Sequence, residues 1–332
     1  MNIRTLTTNA SKVLLPLILG GAILYWMYRD FDFNQVRNVM LHDMDWTWML
    51  LSLPFGISAQ LFRGFRWRQT LEPIGEHART STSVNAVFLS YATSLVIPRV
   101  GEFLRCGILK RYDNVTFAKS LGTVVTERAV DSIMVLLVTT FTLLLQLPVF
   151  HHFFITTGTR FDTFFSQFTT TGYIVTLICL LAALLLLWWL ANALRLSHKL
   201  KDLLSNLWQG VMSLRNVDNV PLYLFYTFGI WGSYFLHFYL TFYCFEATSN
   251  LGIGCALVAF VVGSIAVIVP TPNGAGPWHF SVKTMLILYG VESNAALYFV
   301  LIVHTVQTML VVLLGIWGWG ALALTKPLER TK

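Results

Sequence analysis

Charge is what this chain has least of. Asp, Glu, Lys and Arg make up 12% of its 332 residues, against 55% hydrophobic residues, where a soluble domain carries about 25% charged residues. That scarcity excludes an ordinary water-soluble α/β enzyme core. Cysteine is also thin: Cys106, Cys179, Cys244 and Cys255 lie apart and mostly in apolar segments, so neither a disulfide framework nor a zinc pattern is present. A Gly-rich phosphate loop ending in Lys-Ser/Thr is missing as well, so any energy must come from a gradient or a partner rather than from ATP bound here. No cofactor, metal site or catalytic nucleophile is implied, and the expectation is a protein that is not an enzyme.

What the chain has instead is long apolar runs. Val13–Tyr28, Trp46–Phe62, Ser132–Phe150, Tyr173–Ala193, Leu222–Phe245 and Ala295–Leu324 contain no charged residue. Each is near or above the ~17 residues that cross ~30 Å of hydrocarbon as a helix. The first run follows Arg4 and Lys12 but is long, is closed by Arg29 and has no small-x-small cleavage site, which favours an uncleaved anchor over a secretion signal.

Lysine and arginine collect in alternate loops, and such loops face the cytoplasm. Arg4 and Lys12 precede an acidic loop with Asp30, Asp32, Asp43 and Asp45; the next loop holds Arg63, Arg66, Arg68 and Arg79. Lys110, Arg111 and Lys119 mark one side, Arg160 with Asp162 the other, and Arg195, Lys199, Lys201 and Arg215 return to the first, as does the basic end Lys326–Lys332. Both termini are therefore expected in the cytoplasm, with an even number of crossings. Topology accounts for the net charge of +7, which favours anionic headgroups by about 1 kcal/mol per residue and is not a nucleic-acid signal.

Two further apolar stretches end in proline. Thr80–Pro98 runs into Pro98-Arg99-Val-Gly101-Glu102-Phe-Leu-Arg105, and Leu251–Pro270 into Thr271-Pro272-Asn273-Gly274-Ala-Gly276-Pro277-Trp278-His279. Proline lacks an amide hydrogen and glycine admits unusual dihedrals, so a helix should break at each site and free backbone groups for a ligand, with Pro98, Gly101, Pro270 and Pro272 as hinges. Broken backbone at membrane depth is tolerated only where protein or a water-filled cavity surrounds it. Read as re-entrant hairpins, the stretches leave about six crossing helices and an inverted repeat: residues 46–150 answer residues 222–324, each a crossing, a hairpin and a crossing. Interrupted segments in corresponding positions of two halves point to a transporter's central site. The fold expected is thus all-α, a polytopic membrane protein in one transmembrane domain over residues 1–332. A competing count takes Leu251–Pro270 and a segment near Phe280–Tyr289 as full crossings, giving eight.

Charged residues flank the breaks. Arg99, Glu102 and Arg105 recur every three residues, so a helix starting after Pro98 would align them, with Glu102 able to pair with either arginine. Glu127 and Asp131 share a helical face before the run at Ser132, and Arg128 reaches Asp131 three residues on. A guanidinium fork suits a phosphate, and charges at such depth line interior pathways or pair with each other. The same spacing equally fits interfacial salt bridges that snorkel to headgroups. Arg63, Arg66, Trp67 and Arg68 read as an anchoring girdle, and His237 and His304 as helix-packing histidines. Asn273, Gly274, Gly276 and His279 join the candidate substrate-binding set.

Together, the Pro98–Arg105 string, Thr126-Glu127-Arg128-Ala-Val-Asp131, Arg63-x-x-Arg66-Trp67 and Pro272-Asn273-Gly274-Ala-Gly276 resemble, across nearly the whole chain, the lysylphosphatidylglycerol synthase transmembrane region family. This is the membrane part of the multiple peptide resistance factor, also found as stand-alone proteins. The resemblance implies a multi-pass cell-membrane protein, in the inner membrane if the cell is Gram-negative. Its implied role is flippase-like, moving or binding a phospholipid or lipid-linked amphiphile with an anionic headgroup. Full-length members carry a soluble aminoacyl-transferase domain, for which the eight residues after Leu324 leave no room, so synthase activity is not expected here. Members often follow the Pro-x-Gly-x-Gly turn with a glutamate, where Trp278 and His279 stand nearby. The expected partners are membrane lipids, with a homo-oligomer or a separate synthase as further candidates. The alternatives from other classes are a membrane-embedded enzyme on a lipid-linked substrate, with Glu127 or Asp131 as base, and an accessory subunit.

Overall fold

The computed structural model describes residues 23–25, 27, 33–146, 205, 208–209, 212–269 and 271–328. The expected crossing Tyr173–Ala193, most of Val13–Tyr28, the end of Ser132–Phe150, the hinge candidate Pro270 and residues 329–332 lie outside them. Among the described residues there are helices and turns and no strands. The main helices are α1 Trp46–Leu71, α2 Thr80–Ser94, α3 Val100–Asp113, α4 Phe117–Leu145, α5 Val220–Tyr239, α6 Gly252–Ala266, α7 Pro277–Leu288 and α8 Ser293–Leu324. Two of them, Phe117–Leu145 and Ser293–Leu324, are long and apolar enough to cross a bilayer by length and composition. Their exposed residues are greasy, such as Leu136, Leu137 and Phe141 on α4 and Leu313, Ile316 and Trp317 on α8. Such faces suit lipid rather than water.

Several ends differ from the expectation. The run Trp46–Phe62 does not hand over to a loop at Arg63: α1 continues to Leu71 and carries Arg63, Arg66 and Arg68. In the same way α4 starts at Phe117, so Glu127, Arg128 and Asp131 are interior helical residues. Both extensions are possible because each charge has a partner on a neighbouring helix, which apolar-run counting does not register. The run Leu222–Phe245 is α-helical only to Tyr239 and tightens into a 3₁₀ turn over Leu240–Cys244.

Local chemistry sets the starts. Asp45 accepts the Thr47 amide at 2.8 Å ahead of α1, and Asn219 accepts the Leu222 amide at 3.0 Å ahead of α5, whose first turn holds Pro221, a pattern of cap and pre-set φ. Glu292 accepts the amides of Asn294 and Ala295 at 2.9 and 3.0 Å at the start of α8, and these bonds hold its carboxyl below the usual carboxylate range.

Two short helical hairpins interrupt the long helices. The first is α2–α3, broken over Leu95–Arg99, and the second is α6–α7, broken over Val267–Gly276. Arg99 is left-handed at φ 67°, as is Asn273 at φ 52°, and Gly274 and Gly276 sit at φ 71° and 90°. The second break therefore uses the conformations that its Asn-Gly-Ala-Gly string tolerates. Gly101 is not part of the first break. It is the second residue of α3 and is buried against α2, where a Cβ would overlap the Ser90 carbonyl oxygen.

The contacts between helices have an order. α1 packs on α2, α2 on α3 and α3 on α4, and correspondingly α5 packs on α6, α6 on α7 and α7 on α8. Across the halves α1 packs antiparallel on α5, with Ser52 beside His237 and Arg66 beside Thr227. The hairpin helix α2 packs on α8, and the hairpin helix α6 packs on α4. Exchanging α1–α4 for α5–α8 carries the α1–α5 contact onto itself and each of the others named here onto another. Close approach depends on glycine at the crossings: a Cβ on Gly64 of α1 would lie 2.8 Å from the Val84 Cα of α2, and one on Gly318 of α8 would lie 2.8 Å from the Asn85 carbonyl. Each hairpin has its own apolar core, one around Trp67, Ala86, Val87, Cys106 and Leu109, the other around Phe238, Cys255, Ala259, Leu286 and Phe299.

Candidate functional site

Three arginines and two carboxylates meet at the junction of α1, α3 and α4. Arg63 and Arg66 stand three apart on the buried face of α1, Arg105 on α3, and Glu127 and Asp131 four apart on α4; their exposures are 2, 0, 0, 2 and 7%. Arg63 Nη1 donates to Glu127 Oε1 at 2.5 Å and to Asp131 Oδ2 at 2.7 Å. Arg66 Nη2 donates to Asp131 Oδ1 at 2.7 Å, and its Nη1 to Thr227 Oγ1 of α5 at 3.3 Å. Arg105 Nη1 donates to Glu127 Oε2 at 3.0 Å.

Aromatic rings hold the cations from the other side. Arg63 lies 5.6 and 5.9 Å from the ring centres of Tyr91 and Tyr234, Arg66 5.8 Å from Tyr223, and Arg105 4.6 Å from Trp67. Trp67 is itself fixed by its Nε1–H to Thr123 Oγ1 at 2.9 Å, and Gln60 donates to the Tyr234 hydroxyl at 3.2 Å. A cation over a ring at these distances is favoured by the ring quadrupole, more so when water is absent.

At the rim of this cluster Arg128 Nε lies 3.0 Å from Glu102 Oε1, joining α4 to α3, with side chains 42 and 28% exposed. Arg128 also lies 3.7 Å from Glu127 and 3.8 Å from Asp131. Glu102 was expected to pair within its own helix, with Arg99 or Arg105. It reaches Arg128 of α4 instead, because α3 starts at Val100 and turns Arg99, in its left-handed conformation, off the shared face. Arg99 is exposed at the hairpin tip and pairs with no carboxylate among the described residues.

The remaining candidates gather at the second break. Asn273 donates to Thr308 Oγ1 of α8 at 2.6 Å, its carbonyl lies 3.1 Å from His304 Nε2, and the rings of His304 and His279 are 4.4 Å apart. His304, read from the sequence as a packing residue, thus touches the break directly. Gly274, Gly276 and His279 are buried beneath it, and Pro272 opens its 3₁₀ turn. An open cleft of about 420 Å³ joins the two breaks: Leu95 of the first hairpin lines it together with Pro272, Asn273 and Ala275 of the second and His304, Thr305 and Thr308 of α8. Pro98 lies in the turn just beyond Leu95.

The structure thus puts Glu102, Arg105, Glu127, Arg128 and Asp131 in one cluster and Asn273, Gly274, Gly276 and His279 in a second group, with Arg99 apart from both. Sequence reading gave Arg63 and Arg66 to an anchoring girdle, yet they are buried at the centre of the first cluster. Their signal was the three-residue spacing, which puts both on the side of α1 that meets α4 and α5. The family model of the lysylphosphatidylglycerol synthase TM region matches residues 13–315. No curated protein and no solved structure is similar enough to match.

Proposed function

We propose, given that the chain belongs to the lysylphosphatidylglycerol synthase TM region family, that it is a flippase-like membrane protein that binds and moves a lipid with an anionic headgroup. Family membership makes it a membrane protein related to lipid modification or flipping. One observation carries the finer reading: among the described residues, three buried arginines face only two buried carboxylates. Charges in a bilayer are expensive and mark substrate pathways. An uncompensated cation there is a standing demand for an anion, which the headgroup supplies.

In this reading the two hairpins are re-entrant, entering and leaving on one side, and the halves α1–α4 and α5–α8 form an inverted repeat. The exchange relation among the helix contacts supports it, as do arms of about 18–22 Å at 1.5 Å per residue, too short for a ~30 Å core. Both termini face the cytoplasm. The cluster then lies about 12 Å from the cytoplasmic end of α1, since Arg63 is eight residues from Leu71, and the cleft between the breaks lies deeper. A headgroup passes from one to the other while its tails stay in lipid. Rocking of one half against the other around this route gives alternating access.

Reconstitution into vesicles containing fluorescent phosphatidylglycerol tests the proposal. Wild-type protein is expected to raise the rate at which the label changes leaflet, and Arg128→Ala and Arg66→Lys to lower it at least several-fold. Wild-type rates in both variants would remove the cluster from the mechanism.

A further inference from the structure

The cleft between the two breaks is polar without carrying a fixed charge. Among the described residues no Asp, Glu, Lys or Arg lines it; its polar side chains are Asn273, Thr305, Thr308 and His304. His304 Nε2 lies 3.1 Å from the Asn273 carbonyl oxygen. A carbonyl only accepts, so Nε2 carries the hydrogen and Nδ1 holds a lone pair. The Thr308 hydroxyl, 3.5 Å from that Nδ1, donates to it and accepts from Asn273 Nδ2 at 2.6 Å. Behind His304 the ring of buried His279 is 4.4 Å away, and that of Trp278 is 5.1 Å away. A pair of imidazoles therefore stands at the wall of an open cavity of about 420 Å³.

The titratable groups of the surrounding helices are engaged elsewhere. In α1 no charged residue lies between Trp46 and Phe62. Tyr91 of α2 faces Arg63, Tyr234 of α5 accepts from Gln60, and His237 of α5 bonds the Ser52 carbonyl. Tyr243, in the turn after α5, bonds Tyr239; Cys255 of α6 faces Tyr289; and Lys283, one turn along α7, faces Glu292. No carboxylate lies within 4 Å of either imidazole among the described residues. At the arginine cluster the third guanidinium offsets a headgroup's negative charge, and in the cleft nothing fixed does so. An uncompensated charge at that depth is costly, and imidazole is the side chain that changes charge between pH 5 and 8.

We infer that the His279–His304 pair takes up one proton as the anionic headgroup enters the cleft and gives it up as the headgroup leaves, so that lipid and proton cross together. This rests on the lipid-moving reading above and names its energy source, a proton gradient. The proton adds to the lone pair of His304 Nδ1. Thr308 then accepts from Nδ1–H instead of donating to it, which turns its own hydroxyl hydrogen toward the headgroup. Two imidazolium charges 4.4 Å apart repel, so the pair carries one proton per lipid.

The purified full chain in vesicles with fluorescent phosphatidylglycerol tests this, first at equal pH on both sides and then with the lumen one unit more alkaline. The readout is the ratio of label between leaflets, compared with protein-free vesicles. One proton per lipid predicts an excess in the luminal leaflet of up to about tenfold per pH unit, abolished by a proton ionophore. His304→Gln keeps polar contacts but takes no proton, and is expected to hold the ratio near that of protein-free vesicles, whereas the exposed His42→Gln should match wild type. A wild-type ratio in His304→Gln overturns the assignment of the site. Should His304→Gln fail to fold, a pH dye in the lumen of wild-type vesicles decides: acidification in step with arriving lipid supports the coupling, and lipid arriving without it overturns the inference. Wild-type protein that moves lipid at equal pH but ignores the gradient sinks the coupling alone. Wild-type protein that moves no lipid under either condition sinks the lipid-moving reading as well.

Discussion

Glu127 sits between two guanidinium groups, accepting from Arg63 at 2.5 Å and from Arg105 at 3.0 Å. Removing one partner of a buried ion pair is far worse than never having built it, because the orphaned charge keeps its desolvation penalty. Glu127→Gln leaves Arg63, Arg66 and Arg105 facing Asp131 alone, and its unfolding free energy is expected to fall by about 3–5 kcal/mol. Arg128→Gln, which removes a rim pair, is expected to cost about 1 kcal/mol or less. Melting of both variants in the same detergent checks the contrast; equal losses would mean that burial does not set the energetics here. At this scale the sequence was legible where charge is conspicuous. Arg105, Glu127 and Asp131 stand out because an apolar chain seldom keeps such residues. Arg63 and Arg66 were not legible, since an arginine and tryptophan group after an apolar run is also what an interfacial anchor looks like. What separates the two is Thr227 and Tyr223, partners more than 150 residues away on α5.

Elements were legible where backbone chemistry is local. The breaks at Leu95–Arg99 and Val267–Gly276 lie beside Pro98 and around the Pro272–Gly276 string, since proline withholds a donor and Asn-Gly accepts left-handed dihedrals. Helix ends set by tertiary partners were not: α1 outlasts its apolar run by nine residues, from Phe62 to Leu71. Gly101 shows the same division. Read as a hinge beside Pro98, it is instead the contact that lets the arms of the first hairpin close, with α3 backbone against the Ser90 carbonyl. Gly101→Ala must push the arms apart, and overpacking of this kind costs about 1–3 kcal/mol. It is also expected to move Glu102 and Arg105 with α3, lowering lipid movement more than Gly107→Ala, where a Cβ meets open space. Paired transport and melting measurements check this, and equal behaviour of the two variants would return Gly101 to a hinge role.

For the whole molecule, the pairing of each hairpin with the far half was beyond any reading of runs and loops. That α2 rests on α8 and α6 on α4 depends on glycine faces, Gly315 and Gly318 against Ala92 and Asn85, Gly254 against Gln146, which become meaningful only once the helices meet. This exchange of hairpins gives the topology a test. If the halves are inverted, the two hairpin bases lie on opposite sides of the bilayer. On a background without native cysteines, Asn114→Cys at the base of the first hairpin is expected to react with an impermeant maleimide only from the cytoplasm. Asn250→Cys and Gly290→Cys, at the two ends of the second, should react only from outside. The tip decides between six and eight crossings. As a full crossing, α6 would deliver Asn273 to the cytoplasmic surface, where Asn273→Cys labels as readily as Asn114→Cys. As an arm of 15 residues, α6 reaches only about 22 Å and leaves Asn273 within the bilayer, beside His304 and Thr308. Protection of Asn273→Cys from the cytoplasmic side is therefore the expected result, and rapid labelling there would replace the re-entrant hairpin with two crossings.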